Sequence, residues 1–370
     1  MSMAQRASIS LSRRLRQRIR DHGPVSTGVF ISEALFDPRE GFYATKDPIG
    51  AGEDFITAPE VSQIFGELAG LWLAQAWQAL GAPDPVQLIE LGPGRGTMMK
   101  DILRAARAVP GFVGALNVSL IEISPALITV QAQTLDQAPC PVHWRASLTQ
   151  APKGPALMIG NEFLDCLPVR QFVRQSGHWH ERLVGCDQEG GFCFVLDPAP
   201  APAAALSLIP PALRDAEEGA LVEVRPAIAA LMDELAARFA AAPGMALFID
   251  YGPQKSETGD SLQAIRAHQK VDPLAAPGSA DLTTHVDFAE LARAARNAGL
   301  QVAGPAPQGL WLKSLGLEYR AADLMRKHPG QKRKLARQVH RLAGESEMGT
   351  LFKVIAVYPQ GVPAPEGFAP

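Results

Sequence analysis

Glu90 ends an apolar run, Gly92, Gly94 and Gly96 follow at alternate positions, and the pattern turns helical from Thr97. The stretch LIELGPGRGTMMKDIL (88–103) therefore has the form of a strand, a glycine turn and a helix, an arrangement that usually holds a nucleotide. A phosphate-cradling P-loop needs Lys and then Ser or Thr after its last glycine, whereas Thr97 follows Gly96 directly. A dinucleotide turn wants G-x-G-x-x-G and seats a pyrophosphate on the helix N-terminus, where Glu90 would face two phosphate charges. Two like charges about 5 Å apart repel by about 3 kcal/mol at an effective dielectric of about 20. S-adenosylmethionine carries no phosphate. Its sulfonium and amino groups are positive, so the same carboxylate attracts it. A bare turn without ligand is the remaining reading, and the backbone entropy of three alternate glycines weighs against it.

Glu122 ends the next apolar run, NVSLIEI. An acid there can accept both hydroxyls of an adenosine ribose, a feature common to NAD and S-adenosylmethionine sites. Glu90, the G-x-G-x-G turn and Glu122 together favour S-adenosylmethionine. Arg95, inside the turn, is expected to point away or to pair with an acid.

The elements that must hold these residues alternate regularly. Residues 86–91, 117–123, 142–146 and 155–163 read as strands, 97–109 as a crossover helix, and 124–135 as a helix capped by Ser124 and started by Pro125. Apolar runs separated by helices predict a parallel sheet buried on both faces. After Pro168 the period becomes two around glycine turns, which predicts an antiparallel hairpin inserted into the α/β core. Residues 198–213, rich in Pro and Ala, read as a linker or exposed loop. Beyond them, 219–226 reads as a strand, 244–252 as the fifth strand of the sheet, 253–285 as irregular, 286–299 as a helix and 349–359 as a late closing strand. Upstream, 5–36 predicts two helices split at Gly23-Pro24, 37–60 a long loop, and 60–80 an amphipathic helix closed by Gly81. The expected organisation is N-terminal helices and loop over 1–80, a first half-core over 81–167, an inserted hairpin and linker over 168–218, and a second half-core with C-terminal helices over 219–370.

Of 370 residues, 47% are apolar and 20% charged, with a net charge of −3. That balance gives no global field for nucleic acid or an anionic membrane. No apolar run nears the roughly 18 residues that span a bilayer. Cys140, Cys166, Cys186 and Cys193 show no C-x-x-C spacing, so no metal site or disulfide framework is expected, and a reducing compartment is. The Arg-rich N-terminus has no acid before Asp21, a composition that can mark a mitochondrial transit peptide. Ile9, Leu11, Leu15 and Ile19 at near-helical spacing favour an amphipathic surface helix instead, and a bacterial-type cytoplasmic protein is expected rather than a matrix one.

The blocks DFITAPEVSQIFGELAG, ELGPGRGTMMKDIL, NEFLDCLPVRQF, LFIDYG and DLTTHVDFAEL, in this order, resemble those of the MidA-like family, which includes mitochondrial complex I assembly factor 7. GPVSTGVFISEALFDPREGFY extends the resemblance, which covers roughly residues 20 to 358. The resemblance implies a class I (Rossmann-like) S-adenosylmethionine-dependent methyltransferase core, with a parallel sheet, one antiparallel late strand, a helical N-terminal segment and an inserted smaller α+β lobe. It also implies a protein arginine methyltransferase with a complex I subunit or related assembly client as substrate, and makes Thr57, Pro59 and Glu60 part of the cofactor wall. Cys166 stands where a small residue such as Ala, or Val, is expected, and reads as packing rather than as a nucleophile.

Ligands of open parallel sheets bind outside the carboxyl ends of strands, where Asn161, Glu162, Asp250 and Tyr251 fall. Carboxylates can fix an acceptor guanidinium through bidentate hydrogen bonds. Glu162 and Asp165 are the first candidates, and Asp281, His285 and Asp287 the second. Against these stand a loop carboxylate for Glu162, a cap or ion pair for Asp165, helix-capping groups for His285 and Asp287, and a surface residue for His268. A small-molecule methyltransferase and a non-catalytic assembly factor are the alternatives. No nucleic acid or membrane insertion is expected, and a homodimer is left open.

Overall fold

The computed structural model describes residues 10–45, 57–266 and 269–368. The chain forms two compact units, one from Met1–Pro48, Cys166–Ala227 and Glu257–Thr284, the other from Ile49–Asp165, Ile228–Ser256 and His285–Pro370.

The second unit is built on seven strands: β1 (Val86–Leu91), β2 (Leu116–Ile121), β3 (Val142–Arg145), β4 (Ala156–Asn161), β5 (Gly244–Tyr251), β6 (Gln301–Pro307) and β7 (Phe352–Tyr358). Their spatial order is β6-β7-β5-β4-β1-β2-β3. The β1–β2, β1–β4, β2–β3 and β4–β5 pairs are parallel, while β7 runs antiparallel to both β5 and β6. Every residue of β1, β4 and β5 is buried, as continuous apolar runs require when both sheet faces are covered. The winding reverses between β1 and β4, so the crevice outside their carboxyl ends is the topological switch point of the sheet.

Two helices fix the entry to that crevice: α1 (Gln63–Ala79) and α2 (Thr97–Ala106). A Cβ added at Gly70 would lie 2.9 Å from both Cα and the carbonyl oxygen of Ile102, and one at Gly66 would lie 2.6 Å from Asp101 Cβ. Glycines one turn apart thus bring the two backbones together and hold the start of α2 in place. Glu67, between them, pairs with Arg104 at 3.0 Å and with Arg320 at 2.7 Å.

The first unit has a five-stranded sheet (Val25–Ser26, Arg170–Gln175, His178–Cys186, Phe192–Leu196, Leu221–Val224) and a three-stranded one (Gln263–Arg266, Gln269–Val271, Asp281–Thr283). The helices Leu11–His22 and Thr27–Phe36 bury Leu11, Leu15, Ile19 and Phe30 in one core with Val184 and Leu282. The N-terminal helices therefore pack with chain segments far along the sequence instead of forming one segment with residues up to 80.

Three further readings change. Segment 253–285 holds three strands, each of three or four residues, too short to print a period-two pattern. Segment 198–213 is not an exposed linker: Ala201, Ala205 and Ile209 pack on Trp179. Strand β6 escapes the pattern because Gly304, Pro305 and Pro307 interrupt it; a bulge between Ala303 and Ala306 and a place at the sheet edge accommodate them.

If the α1–α2 contact is as close as this, Gly70→Val should lower unfolding stability by about 2 kcal/mol in urea titrations. A change within about 0.5 kcal/mol, as for an ordinary surface substitution, would contradict it.

Candidate active site

The second unit gathers most of the residues singled out above. Gly92, Gly94 and Gly96 have φ of 63°, 54° and 79°, all left-handed, which glycine alone adopts without cost. A Cβ at Gly92 would also meet the Phe163 ring at 3.1 Å. The loop backbone is therefore bare, and α2 begins directly behind it.

Glu90, near the end of β1, is 1% exposed. Burial pushes its carboxyl up to about 8. Its Oε2 is buried without a hydrogen-bond partner among the described residues, and so is Asn161 Oδ1 at the end of the adjoining β4. A buried acceptor left unmatched costs about 1–3 kcal/mol. Two such acceptors at the switch point fit a cationic hydrogen-bond donor and disfavour phosphate.

Glu122 follows β2. Its Oε1 accepts the backbone N–H groups of Ile123 and Ser124, both at 2.8 Å, and its Oε2 accepts Gln131 Nε2 at 3.0 Å. Burial raises its pKa, and these hydrogen bonds oppose the rise. Three of roughly four acceptor directions of a carboxylate are thus filled. The expectation that Glu122 takes both ribose hydroxyls narrows to one, because the backbone claims Oε1.

Two residues here escaped the sequence reading. Gln131 lies on α3 (Pro125–Thr134), wholly buried; its Nε2 also donates to Gly94 O at 2.7 Å, and its Oε1 accepts Trp144 Nε1 at 2.8 Å. It ties the glycine loop to Glu122, and no helical periodicity could have marked it. Ile123, beside Glu122, is 55% exposed. Its place directly after a site acid is visible in the sequence, but its exposure is not, because the apolar run NVSLIEI reads as a buried strand.

Glu162 follows β4 with φ of 50°, unusual for a residue with a side chain. Its Oε1 accepts Ala58 N and Asn161 Nδ2, both at 3.1 Å. Burial first, then the negative charge of Asp165, pushes its carboxyl up to about 7, with Arg341 opposing. Ala58 opens the short helix Ala58–Val61, which contains the buried Pro59 and is entered from Thr57, whose carbonyl accepts the N–H groups of Glu60 and Val61. Glu60 Oε1 accepts the Thr97 hydroxyl at 2.5 Å, joining this wall to the start of α2.

Asp165 is buried and accepts the Tyr251 hydroxyl at 2.9 Å. Asp250 is the hub beneath: Oδ2 accepts the N–H groups of Leu164 at 2.9 Å and Asp165 at 3.2 Å, and Oδ1 accepts that of Tyr251 at 2.9 Å. The His285 ring stands edge-on to Tyr251, 5.7 Å between centroids. Asp287 caps the helix α4 (Phe288–Asn297) by accepting Glu290 N at 3.0 Å. Asp281 belongs to the first unit, where both its oxygens accept the Tyr43 hydroxyl at 2.9 Å, so its observed part is to hold that tyrosine. Cys166 packs, half-buried, on the first unit's core. His268 and residues 46–56 of the long loop lie outside the described residues.

A family profile described as an S-adenosyl-L-methionine-dependent methyltransferase matches residues 68–306. The chain is 36% identical to a Danio rerio protein named "Protein arginine methyltransferase NDUFAF7, mitochondrial", over 94% of this chain and 86% of the relative. The Homo sapiens protein of that name is 34% identical, over 94% and 83%. A crystal structure of a COG1565 superfamily member from Burkholderia thailandensis, bound to S-adenosyl-homocysteine, superposes with a TM-score of 0.83 at 30% identity, covering 97% of this chain and 94% of that one. The expected cytoplasmic location is corrected by these names: the curated relatives are mitochondrial proteins. Sheet order, switch-point acids and these likenesses agree on an α/β methyltransferase fold with S-adenosylmethionine as cofactor, and the chain belongs to this S-adenosyl-L-methionine-dependent methyltransferase family.

Proposed function

We propose that the chain is a protein arginine N-methyltransferase acting on a respiratory complex I subunit or a related assembly client. The observation that carries this reading is the buried acidic turn after β4, where Glu162 is fixed by Ala58 N–H and Asp165 by the Tyr251 hydroxyl. The names of the curated relatives support the choice of arginine. The first unit is, in this reading, the inserted α+β lobe.

The cofactor residues are Thr57, Pro59, Glu90, Gly92, Gly94, Gly96, Glu122, Asn161 and Glu162. Glu90 neutralises the cationic amino acid end, and Asn161 Oδ1 adds an acceptor beside it. The bare glycine backbone admits close approach, Glu122 Oε2 takes one ribose hydroxyl, and Ile123 lies along the adenine. Thr57 and Pro59 close the wall. S-adenosylmethionine, when bound, supplies an electrophilic methyl group on its sulfonium.

The chain's own work is alignment and charge placement. Glu162 and Asp165 hold the acceptor guanidinium through the N–H groups of two nitrogens and leave the third facing the cofactor. Each methyl gained forms a carbon–nitrogen bond as the carbon–sulfur bond breaks and releases one proton from the attacked nitrogen to solvent, while the ionised Glu162 carboxylate draws the positive charge onto a nitrogen that is not attacked. His285, against Tyr251, keeps the phenol directed at Asp165.

Two measurements test these roles. The Glu90 carboxyl, at about 8 without ligand, must ionise to hold a cation. S-adenosylmethionine binding should therefore release a proton, and its affinity should rise about tenfold per pH unit towards 8, then flatten. Calorimetry in buffers of different ionisation enthalpy reads both, and Glu90→Gln should abolish the dependence; pH-independent binding by the wild type would contradict the assignment. For Glu162, raised to about 7, kcat/KM should climb with pH and bend near that value. Glu162→Gln should lower kcat about 100-fold, a loss that persists at saturating S-adenosylmethionine. Labelled methyl should appear on arginine of a protein; a normal rate in the variant, or label confined to a small molecule, would overturn the reading.

A further inference from the structure

The helices α5 (Leu317–Lys327) and α6 (Lys332–Ala343) bear a charge pattern of which the chemistry above uses only Arg341, as a charge felt by Glu162. From residue 324 to 344 the chain has no Asp or Glu. Arg326 and Lys327 pair back with Asp323. Lys332, Arg333, Lys334, Arg337 and Arg341 are exposed on α6 and make no ion pair among the described residues. The protein as a whole carries −3, so this is a local strip on an acidic chain.

The arrangement works against the helix itself. Three cations occupy its first turn, where the macrodipole favours anions, and no acid is there. Arg333, Arg337 and Arg341 follow at four-residue intervals, so like charges face one another along one side. Leu335, Leu342 and Ala343 turn the apolar side into the core, with Val339 packed beside them.

The strip adjoins the site. Gln338 Nε2 donates to Val61 O at 2.5 Å, which sets α6 against the short helix whose first N–H reaches Glu162. We infer that α6 is a docking strip for an acidic segment of the client protein, next to the arginine that accepts the methyl group. This rests on the proposed protein substrate and adds a specificity to it. Anionic lipid fits less well, because the apolar side of α6 is buried and nothing is left to insert. Single-stranded nucleic acid fits less well, because residues 324–344 have no Phe, Tyr or Trp and offer only the imidazoles of His328 and His340 for a base to stack on.

The test is binding to the full chain, read by fluorescence anisotropy at low and high salt. The probes are a labelled peptide with glutamates around a central alanine and the same peptide with glutamines. The glutamate peptide should bind about tenfold tighter, as a few exposed charge pairs allow, and salt should erase the difference. K332E/R333E/R337E should lose the preference, and R333K/R337K should keep it, with cofactor binding by calorimetry unchanged in both. Equal affinity of the wild type for the two peptides would overturn the inference, a result that needs no folded variant. So would displacement of the peptide by anionic vesicles or an RNA oligonucleotide at lower concentration than by free glutamate peptide. Because the peptide has no arginine, failure of methyl transfer would bear on the proposed function alone.

Discussion

A carboxylate buried at a strand end without a counter-charge is the constraint around which the second unit is arranged. Glu90 Oε2 has no protein donor among the described residues, and desolvation alone pushes the group up to about 8. A fold carries such a cost where a ligand offsets it. A cation does so, and a phosphate would add repulsion to desolvation. The same side chain thus selects the charge of the ligand and makes its binding dependent on proton release.

Around that acid the chain spends its polar groups on holding backbone still. Gln131 joins the glycine loop to Glu122, Asp250 gathers three N–H groups at the turn after β4, and Glu60 fastens the wall helix to Thr97. The Gly66–Gly70 contact places α2 so that its first turn lies behind the loop. Asp250 would look catalytic from composition alone, yet its observed partners are main-chain amides. Glu90, Glu122 and Glu162, each with a raised pKa and incomplete pairing, are the acids with capacity left for ligands.

The core was legible wherever one period ruled a segment. The apolar runs of β1, β4 and β5 and the glycine turn could be read from residue types, since a buried parallel strand and a left-handed turn each demand a narrow set of residues. Strand β6, broken by Gly304 and Pro305, could not be, because edge pairing and a bulge override propensity there. Nor could the grouping of Leu11, Leu15 and Ile19 with Leu282, which is a contact between distant parts of the chain that no local pattern records. At the site, residue type pointed to Glu90, Glu122 and Glu162. It was silent on Gln131 and on which acids are consumed by backbone, since both depend on who stands opposite in space.

The most direct test of this account is a crystal structure with S-adenosylhomocysteine bound. The account predicts the ligand's amino nitrogen about 3 Å from Glu90 Oε2, with the ribose reaching Glu122 and no phosphate-binding group at the start of α2. A Glu90 side chain turned away from the ligand, or a crevice that takes NAD or ATP in its place, would contradict it.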